Sequence, residues 1–428
     1  MAKKLAAGAD RSSSVRHGRL RRSSAWGNAL RVLLTTAIVV ALSGVATVTY
    51  ALWGLVSDVR TVELGPSADA VGAGDQSIDG ALTILLVGSD SREGQSYQDG
   101  EEGELNDVTL MLHVSADHQN ATVVSFPRDL MLPIPSCPGE DGQPDYYPAM
   151  SEQQLNSTMM YGGLPCTVRT IEELTGMSIP YAGLVTFDGV IGISNAIGGV
   201  DVCLTQPIVD EHTGLDLPVG MNTLKGNDAL QFLRTRHGVG DGGDTSRISN
   251  QQVFMSALVR QLKSADTLSD PVKVYGLAKA GVDNMTLSSS MASVQFMQAV
   301  AGTVKDIDLD RINFVQYPAF THPYQEGRLT PDSVNAQLLF DVLKSGQPFS
   351  VTGTGEGVVK EGEEPAEDPN AVTEDPNAVV EDPNAEAPVE PETTEGPVTD
   401  ENGAVLLPEG ITGQDASTAT CSAGRTVY

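Results

Sequence analysis

The chain has 428 residues, a formal net charge of −30 and a pI near 4.4. This length allows two or three domains, or one large domain with tails. Because a phosphate backbone needs a basic protein face, the overall charge argues against nucleic acid as a partner. The charge is uneven, however: residues 1–31 hold eight Lys and Arg against one acid, whereas residues 361–401 hold fifteen acids and no base.

An apolar stretch without charges follows this basic N-terminal tail. Residues 32–57 are mostly Ala, Val, Leu and Ile, and they are long enough for one helix to cross a hydrocarbon layer of about 30 Å. Tyr50 and Trp53 fit an interfacial aromatic belt, and the basic residues before the stretch predict a cytoplasmic N-terminus. A cleaved signal peptide is the alternative, but the run is long and no clear cleavage site follows it. We therefore expect a single-pass anchor in the cell membrane, with everything after Asp58 outside the cell.

After a Gly-, Ala-, Asp- and Ser-rich spacer at 58–80, residues 81–350 alternate between short apolar runs and helical patterns. The predicted strands are Leu82–Gly88, Val108–Val114, Ala121–Phe126, Tyr181–Phe187, Val200–Leu204 and Ile312–Tyr317. The predicted helices are Ser151–Tyr161, Thr167–Thr175, Gly189–Ala196, 226–235, 246–263, 289–303 and Pro331–Lys344. This alternation predicts an α/β fold, namely a layered α-β-α domain with a central mixed sheet.

The composition changes again near the C-terminal end. Residues 354–403 carry three copies of Glu-Asp-Pro-Asn-Ala, seven residues apart and starting at residue 367. Low hydrophobicity, high charge and regular proline predict a disordered acidic linker. A calcium-binding repeat is the alternative, which the repeated proline disfavours. Residues 404–428 become apolar once more at Val405–Leu407, so we expect this last segment to fold back onto the domain.

The four cysteines are Cys137, Cys166, Cys203 and Cys421. They are too far apart for a zinc ribbon or a Cys-x-x-Cys redox pair, and they allow three disulfide pairings. Disulfides are the better interpretation for a domain outside the cell. We favour Cys137 with Cys166, which would clip the loop between them, and this leaves Cys203 with Cys421. Free buried thiols remain the alternative.

Polar motifs stand next to three of the predicted strands. Asp90 and Arg92 follow the first strand, Asp107 precedes the second, and Arg128 and Asp129 follow the third. Ligands of open α/β sheets bind at the carboxyl ends of strands. Two carboxylates, with waters and phosphate oxygens completing the shell, are a usual way to hold Mg²⁺. Taken one at a time, each of these acids is more ordinarily a turn or cap residue.

A second group of polar residues surrounds a glycine-rich turn. Arg234 and Arg236 precede the turn, and Asp244, Arg247 and Gln251 open the next predicted helix. Arginine binds phosphate through a planar bidentate fork, and a helix N-terminus favours anions. The chain carries no phosphate-binding P-loop, no nucleophile elbow and no His pair at zinc spacing. With the two carboxylates described above, this group predicts a diphosphate site.

Taken together, the motifs resemble the LytR–CpsA–Psr family of cell-wall glycopolymer ligases of Gram-positive bacteria. The resemblance covers about residues 80–265 and is specific because many short motifs occur in the family's order. These motifs are Asp90-Ser-Arg92, Asn106-Asp107, Ser125-Phe-Pro-Arg-Asp129, Ile197-Gly-Gly-Val-Asp201, Leu224-Lys-Gly226 through Arg234-Thr-Arg236, and Asp244-x-x-Arg247-x-x-x-Gln251. The positions of Cys137, Cys166 and Cys203 resemble the actinobacterial type of the family.

This resemblance implies a phosphotransferase that depends on Mg²⁺ (or Mn²⁺). Such an enzyme takes a polyprenyl-diphosphate-linked glycan and transfers the glycan phosphate to a hydroxyl group, releasing polyprenyl phosphate. The acceptor would be the muramic acid C6 hydroxyl of peptidoglycan, or a cell-wall protein. We expect a one-step in-line displacement in which positioning and charge stabilisation supply most of the catalysis. The alternatives are a polyprenyl-diphosphate hydrolase and a non-catalytic, membrane-anchored lipid-binding or regulatory protein.

The resemblance also assigns roles to individual residues. Asp90 and Asp107 would hold the metal, and either Asp90 or Asp244 would act as the base. The diphosphate would be bound by Arg92, Arg128, Arg234, Arg236, Arg247 and Gln251. Leu105 stands where the family often has an arginine, so Arg92 would serve alone on that side. The prenyl tail would need an apolar tunnel, but the apolar residues at 253, 254, 257 and 258 are better interpreted as ordinary core.

Overall fold

The computed structural model describes residues 26, 28–39, 43, 59–65, 80–91, 95–97, 103, 105–139, 145–264, 271–362, 399 and 403–427. The chain divides into two compact units, Met1–Gly54 and Leu55–Tyr428. In the first unit, residues 28–39 are helical. Among the described residues, no helix combines the length and the apolar character needed to cross a membrane. Most of the predicted anchor at 32–57 lies outside the described residues.

The second unit contains 21 short strands and seven helices within its described residues. The strands are β1 Arg60–Val62, β2 Leu82–Ser89, β3 Asn106–Val114, β4 Ala121–Phe126, β5 Met131–Ile134, β6 Met150–Gln154, β7 Tyr181–Val185, β8 Val200–Leu204, β9 Ile208–Asp210, β10 Leu215–Leu217, β11 Gly220–Leu224, β12 Met285–Ser288, β13 Ile312–Gln316, β14 Ala319–Thr321, β15 Leu329–Pro331, β16 Phe349–Ser350, β17 Val358–Lys360, β18 Val405–Leu406, β19 Gly413–Asp415, β20 Thr420–Ser422 and β21 Thr426–Val427. The helices are α1 Gly163–Thr175, α2 Phe187–Ile197, α3 Asn227–Arg234, α4 Asp244–Lys263, α5 Pro271–Asn284, α6 Val294–Asp306 and α7 Ser333–Ser345.

Eight strands form the main sheet, in the order β1-β12-β7-β2-β3-β4-β13-β19. The sheet is mixed, because β7 pairs with β2 in parallel and β2 with β3 in antiparallel. Alternate residues of β2 face opposite sides, as the two-residue period of a strand requires. The predicted α/β fold with a central mixed sheet is therefore confirmed.

Apolar side chains cover the main sheet on both faces. On one face, Leu85 and Val87 of β2 pack in a cluster with Ile171 of α1 and Leu339 of α7. On the other face, strand residues such as Ile84 pack in a cluster that also contains Phe296 of α6, with Val259 of α4 beside it. Burial of this kind is the main favourable term in folding. A third cluster joins α3 and α4 to the small sheet β11-β8-β20-β17.

Two of the predicted helices differ from the structure, and one observed helix was not predicted. The helix predicted at Ser151–Tyr161 is wrong, since Met150–Gln154 pairs with β5 and a 3-10 turn follows at Leu155–Met159. Met, Glu and Gln in this segment have high helix propensity. Pairing with β5 nevertheless makes the segment a strand. The helix predicted at 289–303 begins only after Ser293, whose side chain accepts from the backbone N–H of Phe296. Helix α5 was not predicted.

The C-terminal segment folds back onto the domain as predicted. Strand β20 pairs in parallel with β8, and β19 pairs with β13 at the edge of the main sheet. Disulfides join Cys137 to Cys166 and Cys203 to Cys421, so both favoured pairings are confirmed. Strand β17 corrects the predicted start of the acidic linker at residue 354, because β17 pairs with β20. Residues 363–398 of the linker lie outside the described chain.

Candidate active site

Three chain segments bring polar residues to one edge of the main sheet. In the register of β2 and β3, Ser89 at the end of β2 lies opposite Asn106 at the start of β3. Beyond this pair, the backbone N–H of Asp90 donates to the carbonyl of Leu105 at 3.1 Å, and the N–H of Leu105 donates to Asp90 Oδ1 at 2.7 Å. The backbone N–H of Leu105 thus holds the Asp90 carboxylate, and the leucine side chain is not needed for this contact. Arg92 lies outside the described residues.

Arg128 follows Pro127 at the end of β4 and turns toward Asp107. Its Nη1 lies 2.5 Å from Asp107 Oδ1, and its Nε lies 3.5 Å from Asp129 Oδ2. The backbone N–H of Arg128 donates to Asp244 Oδ2 at 3.2 Å. Proline ends the strand because it offers no N–H to the ladder. Arg128 therefore contacts carboxylates from β3, from its own turn and from α4.

The start of α4 adds two further arginine contacts. Arg247 is buried, with 4% of its surface exposed, and its Nη2 lies 2.6 Å from Asp244 Oδ1. The same nitrogen donates to the backbone carbonyl of Asp107 at 2.9 Å. From the preceding loop, Arg236 Nη2 reaches to 3.7 Å from both Asp244 Oδ1 and Asp129 Oδ2. The sequence-predicted residues 107, 128, 236, 244 and 247 are thus brought together.

One more arginine joins this cluster, and the sequence reasoning missed it. Arg328 Nη1 lies 2.8 Å from Asp129 Oδ1, which also accepts from Gln154 Nε2 at 2.9 Å. Arg328 lies just before the short strand β15, nearly 200 residues from its partner, so no local motif announces it. We refer to the four arginines and three aspartates joined by these ion pairs as the arginine–aspartate network. Its members are Arg128, Arg236, Arg247, Arg328, Asp107, Asp129 and Asp244.

The electrostatics of the network follow from burial and from these partners. Burial alone would raise the pKa of Asp107, but Arg247 and Arg128 outweigh it and hold that pKa below its usual range. Burial opposes charge on Arg128 as well, yet Asp107 raises the pKa of its guanidinium. Arg236 differs: burial and the nearby charges of Arg247 and Arg128 lower its pKa, and Asp244 and Asp129 offset this only in part. The nearby carboxylates therefore offset the burial of Arg236 only in part.

The network also has hydrogen-bond donors to spare. Within the described part of the chain, Arg128 Nε, Arg236 Nη2 and Arg247 Nε are buried and have no hydrogen-bond partner. Leaving such a donor unsatisfied typically costs about 1–3 kcal/mol, and buried polar groups are normally paired. Four arginines face three aspartates, so the network carries one positive charge in excess. A bound anion with several oxygens would satisfy both the donors and the charge.

Arg234 is held in a different way, at the end of α3. Its guanidinium lies 4.7 Å from the centre of the Phe187 ring and 5.6 Å from that of Tyr97. Its Nη1 donates to the Tyr97 hydroxyl at 2.9 Å, and the two rings meet edge to face at 5.5 Å. We call Tyr97 and Phe187 the aromatic cradle, and the sequence reasoning did not identify either residue. Gln251 instead donates to the carbonyl of Leu233 at 2.9 Å, which ties α4 to the end of α3.

Asp90 and Asp107, which are predicted to hold a metal, have the carboxylate oxygens that Mg²⁺ prefers as ligands. The described residues contain no group of three or more His, Cys, Asp or Glu arranged to hold a metal ion. Asp90 and Asp107 lie at the same edge of the sheet, and Asp107 has a lowered pKa that keeps it ionised. Mg²⁺ commonly takes one or two protein carboxylates and fills its shell with water and substrate phosphate. Two carboxylates at one sheet edge are therefore a donor set of the kind that Mg²⁺ takes.

The apolar side of helix α4 contributes to the core, and Val253 and Ala257 also line a cavity. Val253, Phe254 and Ala257 are buried in the third cluster, and Leu258 packs against it, which confirms the preference for ordinary core. A cavity of about 520 Å³ lies beside α4 and is lined by residues that include Arg260. The described arginines of the network do not line this cavity. It is therefore not the predicted diphosphate site.

The chain is thus a mixed α/β protein that gathers arginines and aspartates at one edge of its main sheet, and comparison with known proteins shows its family. The LytR_cpsA_psr family model matches residues 60–337. The chain therefore belongs to this family, which confirms the resemblance drawn from its motifs.

Similar proteins come from Corynebacterium glutamicum and Bacillus subtilis. The cell wall biosynthesis protein LcpA of Corynebacterium glutamicum is 28% identical over 306 residues, which are 64% of this chain and 58% of LcpA. The probable cell wall biosynthesis protein LcpB of the same organism is 30% identical over 211 residues, or 47% of each chain. The polyisoprenyl-teichoic acid–peptidoglycan teichoic acid transferase TagT of Bacillus subtilis is 25% identical over 236 residues, 51% of this chain and 67% of TagT. The chain spans about half the length of the two Corynebacterium relatives.

Two solved structures share the fold. The LytR-Csp2A-Psr enzyme from Actinomyces oris is 20% identical, has a TM-score of 0.50 and is matched over 67% of this chain and 95% of its own. A protein from Streptococcus agalactiae is 17% identical, has a TM-score of 0.51 and is matched over 64% and 91%. At these identities the likeness concerns the fold alone.

Proposed function

We propose that this protein is a phosphotransferase of the cell envelope. It would transfer a glycan phosphate from a polyprenyl-diphosphate-linked donor to a hydroxyl group of peptidoglycan or of a cell-wall protein. The observation that carries this proposal is a set of three buried arginine nitrogens without a hydrogen-bond partner, at Arg128, Arg236 and Arg247. The nitrogens of Arg128 and Arg236 face carboxylates only at 3.5–3.7 Å. Because they belong to one network with excess positive charge, they suit a diphosphate, which offers several oxygens and more than one negative charge.

Membership of the family supports the choice of reaction. The relative TagT is named a transferase of teichoic acid from a polyisoprenyl carrier to peptidoglycan, and LcpA and LcpB are named for cell wall biosynthesis. A single membrane span at residues 32–57 with a cytoplasmic N-terminus would place the second unit outside the cell. There, lipid-linked donors and the cell wall are both at hand. The span and this orientation are part of the proposal.

In the proposed reaction the acceptor oxygen attacks the phosphorus that carries the glycan. The bond from that phosphorus to the oxygen of the polyprenyl phosphate breaks, and polyprenyl phosphate leaves with the electron pair. Arg236 and Arg247 bind the diphosphate oxygens and stabilise the charge that moves onto the leaving group. Asp244 is a positioning residue, since its oxygens contact Arg247, Arg236 and the N–H of Arg128.

The proton of the acceptor hydroxyl passes to a carboxylate at the sheet edge, and Asp90 is the residue we propose for this step. Asp90 and Asp107 would also hold Mg²⁺, which would neutralise negative charge on the phosphate groups. Arg234 would contact the donor from the adjoining end of α3. Arg92 and Gln251 complete the proposed set, Gln251 by keeping α4 against α3.

The test uses the full chain in detergent with a farnesyl-diphosphate-linked N-acetylglucosamine donor and peptidoglycan oligomers. Mass spectrometry is expected to show an acceptor that has gained one glycan phosphate, together with farnesyl phosphate. Arg236→Ala should decrease this product about 10- to 100-fold, whereas Arg311→Ala, at an exposed arginine just before β13, should leave it unchanged. Equal release of farnesyl phosphate with and without acceptor, and no linked product, would instead identify a hydrolase.

A further inference from the structure

The C-terminal end of the chain lies against a loop of the candidate site. This loop, residues 237–243, joins Arg236 to Asp244 and contains four glycines. The strands and turn at residues 420–427, which we call the C-terminal strap, lie well beyond the family match that ends at residue 337. Nothing in the proposed function so far gives this strap a role.

The strap bonds to three consecutive residues of the loop. Gly424 and Val239 form an antiparallel bridge. The backbone N–H of Arg425 donates to the carbonyl of Gly238 at 2.8 Å, and its Nη1 donates to the carbonyl of Gly240 at 3.1 Å. A glycine-rich loop has many accessible conformations. The bonds to the strap therefore add a restraint to the hydrogen bonds within the loop, such as that from the N–H of Gly242 to the carbonyl of Val239.

The strap is itself fixed from several sides. Strand β20 lies between β8 and β17, and β21 pairs with β9. The Cys203–Cys421 disulfide joins the strap covalently to β8. At Gly424 a Cβ atom would lie 2.6 Å from the carbonyl oxygen of Pro207, so only glycine fits there. The loop is thus tied to a rigid part of the domain.

The strap also reaches the helices that carry the other site residues. The buried hydroxyl of Ser422 donates to Asn250 Oδ1 at 2.6 Å. Asn250 lies in α4, and its Nδ2 donates to the carbonyl of Phe232 in α3 at 2.8 Å. One side chain thereby connects the strap to the helix of Arg247 and to the helix that ends at Arg234.

We propose that the C-terminal strap is a positioning element for the diphosphate site. By holding residues 237–243 it sets the separation between Arg236 and Asp244, and Arg425 is a positioning residue that acts through the loop backbone. The identity of the bound anion rests on the proposed function, whereas the restraint on the loop does not. Small displacements of binding groups are costly, since about 1 Å can change a rate about 100-fold.

The first experiment measures hydrogen–deuterium exchange of the loop amides in the full chain. In Arg425→Ala we expect exchange at residues 237–243 to become about fivefold faster, because one hydrogen bond to the loop is lost. Gly424→Ala should have a larger effect, and Arg425→Lys should recover part of the protection. Arg311→Ala is the matched control and should exchange as the unaltered chain does. Unchanged exchange in both strap variants, with unchanged melting temperatures, would overturn the proposal.

The second experiment measures the affinity of the same variants for farnesyl diphosphate as a probe. Arg425→Ala should bind it about fivefold less tightly than the unaltered chain, with partial recovery in Arg425→Lys. If Arg236→Ala loses binding but both strap variants bind normally, the strap proposal is wrong and the proposed function stands. If the unaltered chain and Arg236→Ala bind equally poorly, the proposed function fails, and loop exchange alone decides on the strap.

Discussion

The arginine–aspartate network and the aromatic cradle hold the same kind of side chain by different physical means. In the network, carboxylates fix Arg247 and Arg128 at 2.5–2.6 Å and cancel most of their charge. In the cradle, the rings of Tyr97 and Phe187 attract Arg234 through their electron-rich faces and add no formal charge. The comparison teaches that a site can hold its arginines with carboxylates, which cancel charge, or with aromatic rings, which do not, and that this site uses both means.

The largest expected effect comes from Arg247→Ala. Arg247 is buried against Asp244 and the carbonyl of Asp107, so its removal takes the shortest ion pair from a buried carboxylate, at a cost of up to about 3–5 kcal/mol. We expect loss of the transfer reaction by at least about 100-fold and a clear decrease in the free energy of unfolding. Urea unfolding and turnover of the farnesyl donor would measure the two. A variant as stable and as active as the unaltered chain would contradict a central role for Arg247.

Arg236→Ala is expected to separate function from stability. The guanidinium of Arg236 is a quarter exposed, and its carboxylate contacts are both 3.7 Å long. Pairs of this kind contribute only about 0–1 kcal/mol to folding, yet Arg236 lacks a full counter-charge and should bind the diphosphate strongly. We expect a decrease in turnover of about 10- to 100-fold with nearly unchanged urea unfolding. Arg236→Lys tests whether charge alone suffices, and equal losses of stability and activity would argue against the distinction.

In the cradle, Phe187→Leu should have a smaller effect. A cation–π contact contributes about 0.5–2 kcal/mol, so losing the ring 4.7 Å from Arg234 should raise KM for the farnesyl donor about threefold to tenfold. Stability should change little beyond the lost packing. Tyr97→Phe is the matched control, because it keeps the ring and removes the hydroxyl bonded to Arg234. If Phe187→Leu leaves KM unchanged, the cradle does not position Arg234 for binding.

The smallest effect concerns pH. The pKa of Asp107 is lowered in the folded state, so the folded protein binds a proton there less readily than the unfolded chain does. Its contribution to stability is therefore complete above the unfolded pKa of about 3.9 and is lost as pH falls through the lower folded pKa. Urea unfolding between about pH 5 and pH 3 should show a steeper loss of stability in the unaltered chain than in Asp107→Asn. Parallel profiles would contradict the ion pairing of Asp107.

The sequence predicted those parts of the molecule that short segments determine. The strands at Ala121–Phe126 and Val200–Leu204 were predicted at their observed bounds, because each is an apolar run of strand length beside turn residues. Asp107 and Arg128 were recognised because they stand next to such strands. The polar strand β6 was missed, since only its pairing with β5 makes it a strand.

Contacts between distant segments account for the rest. Arg328 reaches Asp129 across 199 residues of sequence, and Tyr97 reaches Arg234 across 137. No periodicity or motif in one segment reports on a partner so far away. The cysteine pairing could be favoured because four cysteines leave few combinations. An arginine or a tyrosine, in contrast, can pair with side chains anywhere in the chain, so the number of possible partners is large.

Strand β19, at one edge of the main sheet, can join the sheet only late in folding. Gln414 of β19 pairs with Phe314 of β13, which lies 100 residues earlier in the chain. Chains fold from the N-terminal end as they are synthesised, so β13 waits with unpaired backbone groups until nearly the whole chain has emerged. An unpaired strand edge invites association with other chains. A product truncated before residue 413 would therefore keep most of the site but tend to aggregate.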